Sequence, residues 1–394
     1  MNNLLKRFSY FTICCLFFAV AACSGKKEIV LESAKPVAKP KVQTTIKLSR
    51  GWSTNLGASF GSDVAGFQLQ KDDDLLYATS QSGQVASYDI HSGKTNWKKG
   101  LREVLSAGLS IGFNSLYVAN DQGQVLALDK LSGEVVWRKQ MTSEILTSPV
   151  ESRGIVITRS LDGKISGLNA DTGDEIWSLK RDFPSLSLRR DVPPLLVGNV
   201  ALLGLSSGNV VAVNTKTGQA VWDIPLSTPS GVNELDRMRD IASKPLISGN
   251  LFFANSFQGD MISIDISSRK FLWRVPMSSY QQMTTDGETV FATTSDSTVV
   301  ALANANGDLR WENESLLRRG ISAPTVFGQY ILVFGNDGDM YLLEKTTGKL
   351  VGNYNFPGKR IIGLPVVFQD KQSGKLSFVA LSDNGSLYQF QLVL

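Results

Sequence analysis

Residues 116–137 read LYVANDQGQVLALDKLSGEVVW, and residues 155–177 read IVITRSLDGKISGLNADTGDEIW. Each stretch opens on an apolar run, breaks at a glycine (Gly123, Gly163), and resumes over six residues, QVLALD or KISGLN. It breaks again at a second glycine (Gly133, Gly173) and ends on a tryptophan. The DQG and LDG breaks are hairpin signals, because glycine supplies the positive φ that a tight turn between two strands demands. The second break, KLSGE or ADTGD, has the Asx, Ser and Thr chemistry that caps its own turn. The unit is therefore predicted as strand, turn, strand, turn, strand.

Working outward, the unit recurs. Trp97, Trp137, Trp177, Trp222, Trp273 and Trp311 follow one another at intervals of 40, 40, 45, 51 and 38 residues. Each stands 14 residues after a turn position: Gly83, Gly123, Gly163, Gly208, Gly259 and Ser297. An acid or amide follows the turn by six residues at Asp89, Asp129, Asn169, Asn214 and Asp265. A further strand precedes each unit and is often marked by proline, as at Pro149, Pro194, Pro245, Pro324 and Pro365. Four antiparallel strands in 40–50 residues make a propeller blade. One tryptophan per blade at constant offset reads as a structural ring that packs blade on blade, not as a ligand site.

The count closes on eight. A seventh unit, YILVFGNDGDMYLLEKTTGKLVGNY, keeps Gly338 and Gly348 but has Gly352 where the tryptophan would stand. An eighth, FVALSDNGSLYQFQLVL, keeps Gly385, yet the chain stops at Leu394, before an outer strand could form. The missing strand is predicted at the other end, in IKLSRGWSTNL with Trp52, which would complete blade eight and leave no open sheet edge. The expected fold is an all-β, eight-bladed β-propeller of four-stranded antiparallel blades over residues 46–394, its ring closed by the N-terminal strand.

The beginning of the chain is different. MNNLLKR is a short basic segment, and the uncharged apolar run from Phe8 to Ala22 is too short to cross a bilayer but has signal-peptide length. It ends in Val20-Ala21-Ala22-Cys23, which resembles a bacterial lipobox and marks 1–22 as a signal and Cys23 as the lipidated first residue. Ser24, where an aspartate would resemble an inner-membrane retention signal, points to the outer membrane and its periplasmic leaflet. Residues 23–45, rich in Lys, Ala and Pro, read as a tether.

Composition narrows the chemistry. Apolar residues are 42% of the chain and charged residues 19%, enough for a large core. There is one histidine, His91, in a turn where exposure is the default, and the three cysteines, Cys14, Cys15 and Cys23, all precede the body. The body can form no disulfide, cysteine metal site or thiol nucleophile. Without Lys6 and Arg7 there are 38 basic against 36 acidic residues, or +2, which gives no reason to expect nucleic acid.

The segment Asn169–Trp177, NADTGDEIW, resembles the repeat of pyrroloquinoline-quinone-dependent alcohol dehydrogenases. Those enzymes imply a quinone, a calcium ion and commonly a vicinal disulfide, and the last is impossible in this body. The cluster Asn336-Asp337-Gly338-Asp339 reads as a hairpin and falls short of a calcium loop. A lipobox joined to an eight-bladed body of this repeat resembles the BamB family, lipoproteins of the outer-membrane β-barrel assembly machine. That resemblance implies a non-enzymatic scaffold without cofactor. It implies BamA and other subunits of the machine as partners, and unfolded outer-membrane proteins as substrates. The alternatives are a quinone-dependent periplasmic dehydrogenase and a sugar- or peptidoglycan-binding module that uses the funnel.

Loop lengths point to the contact surface. From tryptophan to the next proline marker is 12 residues at 137–149 and 13 at 311–324, but 17 at 177–194 and 23 at 222–245. Two neighbouring connections are thus enlarged, and long loops on a rigid scaffold usually carry function. The first contains Leu186, Leu188 and Arg189; the second contains Asp236, Arg237 and Asp240. Apolar anchors beside arginine suit an interface core, although the leucines could equally fold back on the blades. Ser185–Arg189 and Glu234–Asp240 resemble the segments with which the family binds BamA, with Ala242 departing from an acid in relatives. A third insert, Gln369–Lys375, is polar and reads as a solvated hairpin tip.

Overall fold

A computed structural model describes residues 35–61, 66–181, 192–226, 241, 243–357 and 360–393. The body, Pro36–Leu394, contains eight four-stranded antiparallel sheets. Seven take their strands in chain order, from Gln70–Gly100 in blade one to Thr325–Asn355 in blade seven. The eighth joins Ile361–Gln369, Leu376–Ser382 and Ser386–Val393 to the N-terminal strand Lys47–Asn55, which lies outermost. Lys47 pairs with Val393 and Asn55 with Ser386, so the predicted closure is present, interrupted by one irregularity between Arg50 and Ser53.

Burial follows from the alternation read in the sequence. The second and third strands of each blade are buried almost throughout, as in Gln124–Asp129, whereas the fourth, as in Val135–Gln140, is exposed on alternate residues. The apolar clusters lie between blades. Trp137 of blade two packs with Tyr117, Val125 and Met141 on its own side and with Val156, Leu168 and Ala170 of blade three. Burial of such a ring stabilises by roughly 2–3 kcal/mol. Six seams have a cluster each, while one larger cluster runs through blades eight, one and two.

The tryptophans do more than fill space. The indole N–H of Trp137 donates to the Ala170 carbonyl at 2.8 Å, and that of Trp177 to Thr215 at 2.9 Å. Trp52, Trp97, Trp273 and Trp311 do the same to Ile90, Lys130, Asn304 and Lys345. Each acceptor opens the turn between third and fourth strands of the next blade. The second glycine of the repeat is required by this contact. Gly173 has φ 76°, and a Cβ there would meet Trp137 Cε3 at 2.7 Å. One feature is invisible in the sequence: in all seven chain-ordered blades the pairing of third and fourth strands slips by one residue just before the tryptophan position. Such a bulge re-aims the following side chain, here towards the next blade. It leaves the bulged Val136, Ile176, Val221 and Leu272 facing outward.

Candidate docking surface

The antiparallel order sorts the connections onto two faces. The chain leaving each fourth strand bonds back to the middle turn of its own blade: Leu101 N–H to Gly83, Met141 to Gly123, Arg181 to Gly163 and Leu226 to Gly208. Middle turns and blade-to-blade connections therefore share one face. The first and last turns of each blade share the other, as shown by Lys130 N–H donating to Asn114 O. Both enlarged connections leave from the first face, on adjacent blades.

Their ends are held firmly. Arg181, the last described residue before the first, pairs with Asp223 of blade four at 3.6 Å. Leu226 and Ile241, which bracket most of the second, are both buried in the cluster between blades four and five. Arg181–Asp223 thus ties the exit of one connection to the strand that leads into the other. The predicted contact residues Leu186, Leu188, Arg189, Asp236, Arg237 and Asp240, together with Ala242 and the lipidation candidate Cys23, lie outside the described residues.

Residues 37–45 fall within the expected flexible tether; here they lie along blade seven. Val37 N–H donates to Leu317 O at 3.1 Å and Arg319 to Val37 O at 2.9 Å. Lys39 pairs with Asp339 at 2.6 Å, and Thr45 N–H donates to Val351 O at 3.3 Å. Leu317 and Arg319 belong to a blade-to-blade connection, so this strap joins the body on the face of the enlarged connections. The acidic cluster of the blade-seven turn is absorbed here. Asp337 binds Arg319, while Asp339 takes Lys39 and the Tyr341 hydroxyl. Burial, with Asp337 and Asp339 nearby, pushes that hydroxyl up to about 12. Carboxylates committed to protein cations do not fit a calcium site.

His91 corrects a second expectation. Its side chain is only 8% exposed, with Nδ1 2.9 Å from Asp370 of blade eight and Nε2 3.2 Å from Asp74 of blade one. Lys371 pairs with Asp74 at 2.6 Å, and Phe368 meets the imidazole edge-on. Residues 371–375 form the solvated tip expected of the third insert, but Asp370 at its base is 3% exposed and fastens blade eight to blade one. The signal available in the sequence was the lengthened hairpin itself, which reaches the turn of the neighbouring blade.

Comparisons with known proteins agree with this architecture. The family model "Outer membrane protein assembly factor BamB" matches residues 81–313, more than half of the chain. The factor of that name from Pseudomonas aeruginosa is 32% identical, covering 86% of this chain and 88% of its own length. The one from Vibrio cholerae is 31% identical, covering 84% and 86%. Among solved structures, BamB from Moraxella catarrhalis superposes with a TM-score of 0.78 at 26% identity, covering 88% of this chain and all of that one. A quinohemoprotein alcohol dehydrogenase from Comamonas testosteroni reaches 0.68 at 13% identity, covering 87% and 76%, a likeness of fold alone. With its repeat, its closed ring and these relatives over most of its length, the chain belongs to the BamB family of outer membrane protein assembly factors.

Proposed function

We propose that this assembly factor is a lipid-anchored scaffold on the periplasmic side of the outer membrane. Cys23 carries the lipid, and the two enlarged connections dock BamA, the barrel-forming subunit, while outer-membrane proteins fold and insert. The observation that supports this reading best is that both connections leave from one face on adjacent blades, with ends tied by Arg181–Asp223 and Ile241. A rigid rim that holds two insertions side by side offers a composite surface at little entropic cost. The residues that would make the contact are Leu186, Leu188 and Arg189 from one connection and Asp236, Arg237 and Asp240 from the other.

The test is capture of the full-length chain by the periplasmic domains of BamA. Replacing Leu186, Leu188 and Arg189 together with alanine should weaken binding at least about a hundredfold, since buried interface anchors cost roughly 1–2 kcal/mol each. Thermal melting should stay that of the parent, and Gln372→Ala in the blade-eight tip should change neither. Parent-like affinity in a folded triple variant would remove this connection from the docking site.

A further inference from the structure

The face opposite the enlarged connections carries an apolar feature that the repeat does not require. Phe113, in the first turn of blade two, is 83% exposed, and Leu131, in the last turn of the same blade, is 81% exposed. The two turns touch: Lys130 N–H donates to Asn114 O, and its ammonium to the carbonyls of Gly112 and Phe113. Other blades place no large apolar residue at these positions. Eight residues after the middle-turn position, where blade two has Leu131, they have His91, Asp171, Lys216, Ser267, Ala305 and Thr346. In the first turn they have pairs such as Arg153-Gly154, Gly198-Asn199 and Gly249-Asn250. Exposed hydrophobics scattered singly mean little, whereas two on touching turns of one blade mark a contact surface.

Beside them is a cleft of about 440 Å³, walled by Phe113 and Tyr117 and edged by Glu151, Arg153 and Asp171. That is a size at which protein pockets take a side chain or small ligand. The local cations are already engaged: Lys130 with Asp72 at 2.6 Å, and Arg153 with Asn199 at 2.6 Å. Glu151 receives the Tyr117 hydroxyl at 2.8 Å and Phe113 N–H at 3.0 Å, both on Oε2. Among the described residues no donor reaches its Oε1, and Asp171 has no ion pair. What remains on offer is an apolar step next to a cleft whose two carboxylates, Glu151 and Asp171, outnumber its one guanidinium, Arg153.

We propose that this step and cleft bind a polypeptide segment that carries an aromatic or aliphatic side chain next to an arginine or lysine. The apolar side chain lies on Phe113 and Leu131, and the cation enters the cleft towards Glu151 and Asp171. A bilayer fits less well, since Glu151 and Asp171 would face phosphate headgroups of like charge and the cleft would stay unfilled. This surface lies on the face opposite the one from which the enlarged connections leave, and the proposal does not depend on them.

The probe is a fluorescein-labelled peptide of Phe-Ser-Arg-Ser repeated three times, titrated into the full-length chain in detergent with empty micelles as blank. Binding should weaken at least about tenfold in the Phe113→Ser, Leu131→Ser double variant, and several-fold in Glu151→Gln. A peptide with Glu in place of Arg should bind at least about tenfold more weakly than the parent peptide. Amide exchange in the turns 112–115 and 129–132 should slow when the Arg peptide is added. Equal affinity of the double variant, or equal binding of the Glu peptide, would overturn the proposal. So would a large fall in the double variant's melting temperature, which would make both residues part of the fold. Slowed exchange on reconstitution into phosphatidylethanolamine–phosphatidylglycerol vesicles without peptide would identify the bilayer as the occupant and overturn it too.

Discussion

The seam between blades two and three and the seam between blades seven and eight solve one problem with different residues. In the first, Trp137 lies against Gly173 and donates to Ala170 O, both in the last turn of blade three. In the second, Gly352 occupies the tryptophan position, and the Tyr354 hydroxyl donates to the Ile46 carbonyl. The reason is covalent. In blade eight the third strand, Ser386–Val393, and the fourth, Lys47–Asn55, are far apart in sequence, so no tight turn joins them and no left-handed glycine awaits an indole. Tyr354 reaches over the gap to the head of the N-terminal strand, where Phe356, Tyr388 and Phe390 make up the apolar volume. The lesson is that the tryptophan serves the turn of the next blade, and disappears where that turn does.

Deleting residues 46–56 breaks the comparison most severely. It removes Trp52, the whole edge pairing with Ser386–Val393 and the acceptor of Tyr354. The expected loss exceeds about 5 kcal/mol, a fall in melting temperature above roughly 10 °C, with association through the open edge. A truncated chain that melts like the parent and stays monomeric in analytical ultracentrifugation would show that the ring does not depend on this strand.

Trp137→Ala tests the regular seam. Loss of a 9% exposed ring and its hydrogen bond should cost about 3–5 kcal/mol in denaturant unfolding, well above the loss of the Tyr354 hydroxyl at the seven–eight seam.

Asp370→Asn addresses the fastening between blades eight and one. Burial raises the Asp370 carboxyl, but hydrogen bonds from Ser373, Gln372 N–H and His91 overcome it and hold it below the ordinary 3.8. A carboxylate depressed in the fold contributes stability that is present above the unfolded value and lost as pH falls through the folded one. The variant should lose about 1–3 kcal/mol at neutral pH and then decline less than the parent between pH 5 and 3, followed by circular dichroism. A parent-like acid limb would show that Asp370 does not titrate across that window.

Tyr354→Phe is the smallest expected effect. It removes one hydrogen bond and keeps the ring, so about 0.5–1.5 kcal/mol should be lost. A cost comparable to that of Trp137→Ala would mean that the closing seam depends on the hydroxyl far more than its packing suggests.

Most of the architecture was legible in the chain. Turn glycines at fixed offsets demand positive φ, alternating runs demand one buried face, and a unit lacking its outer strand demands a strand from elsewhere. These are local requirements, and residues 116–137 already state them. The enlarged connections were legible for the same reason, as departures from a regular spacing. Other features exist only across the seams. The bulge before the tryptophan position, which aims six indoles at the next blade, is kept in blade seven where Gly352 stands there, so the residue type does not announce it. The His91 side chain is covered because residues 91 and 370, 279 apart in sequence, become neighbours when blade eight meets blade one. The strap at 37–45 binds because the blade-seven edge presents Val351 and Asn353 to it. Phe113 and Leu131 are unremarkable apart and form a surface together because two turns of blade two touch. Local periodicity determined the blades; partners distant in sequence, brought together when the ring closes, decided the seams and surfaces.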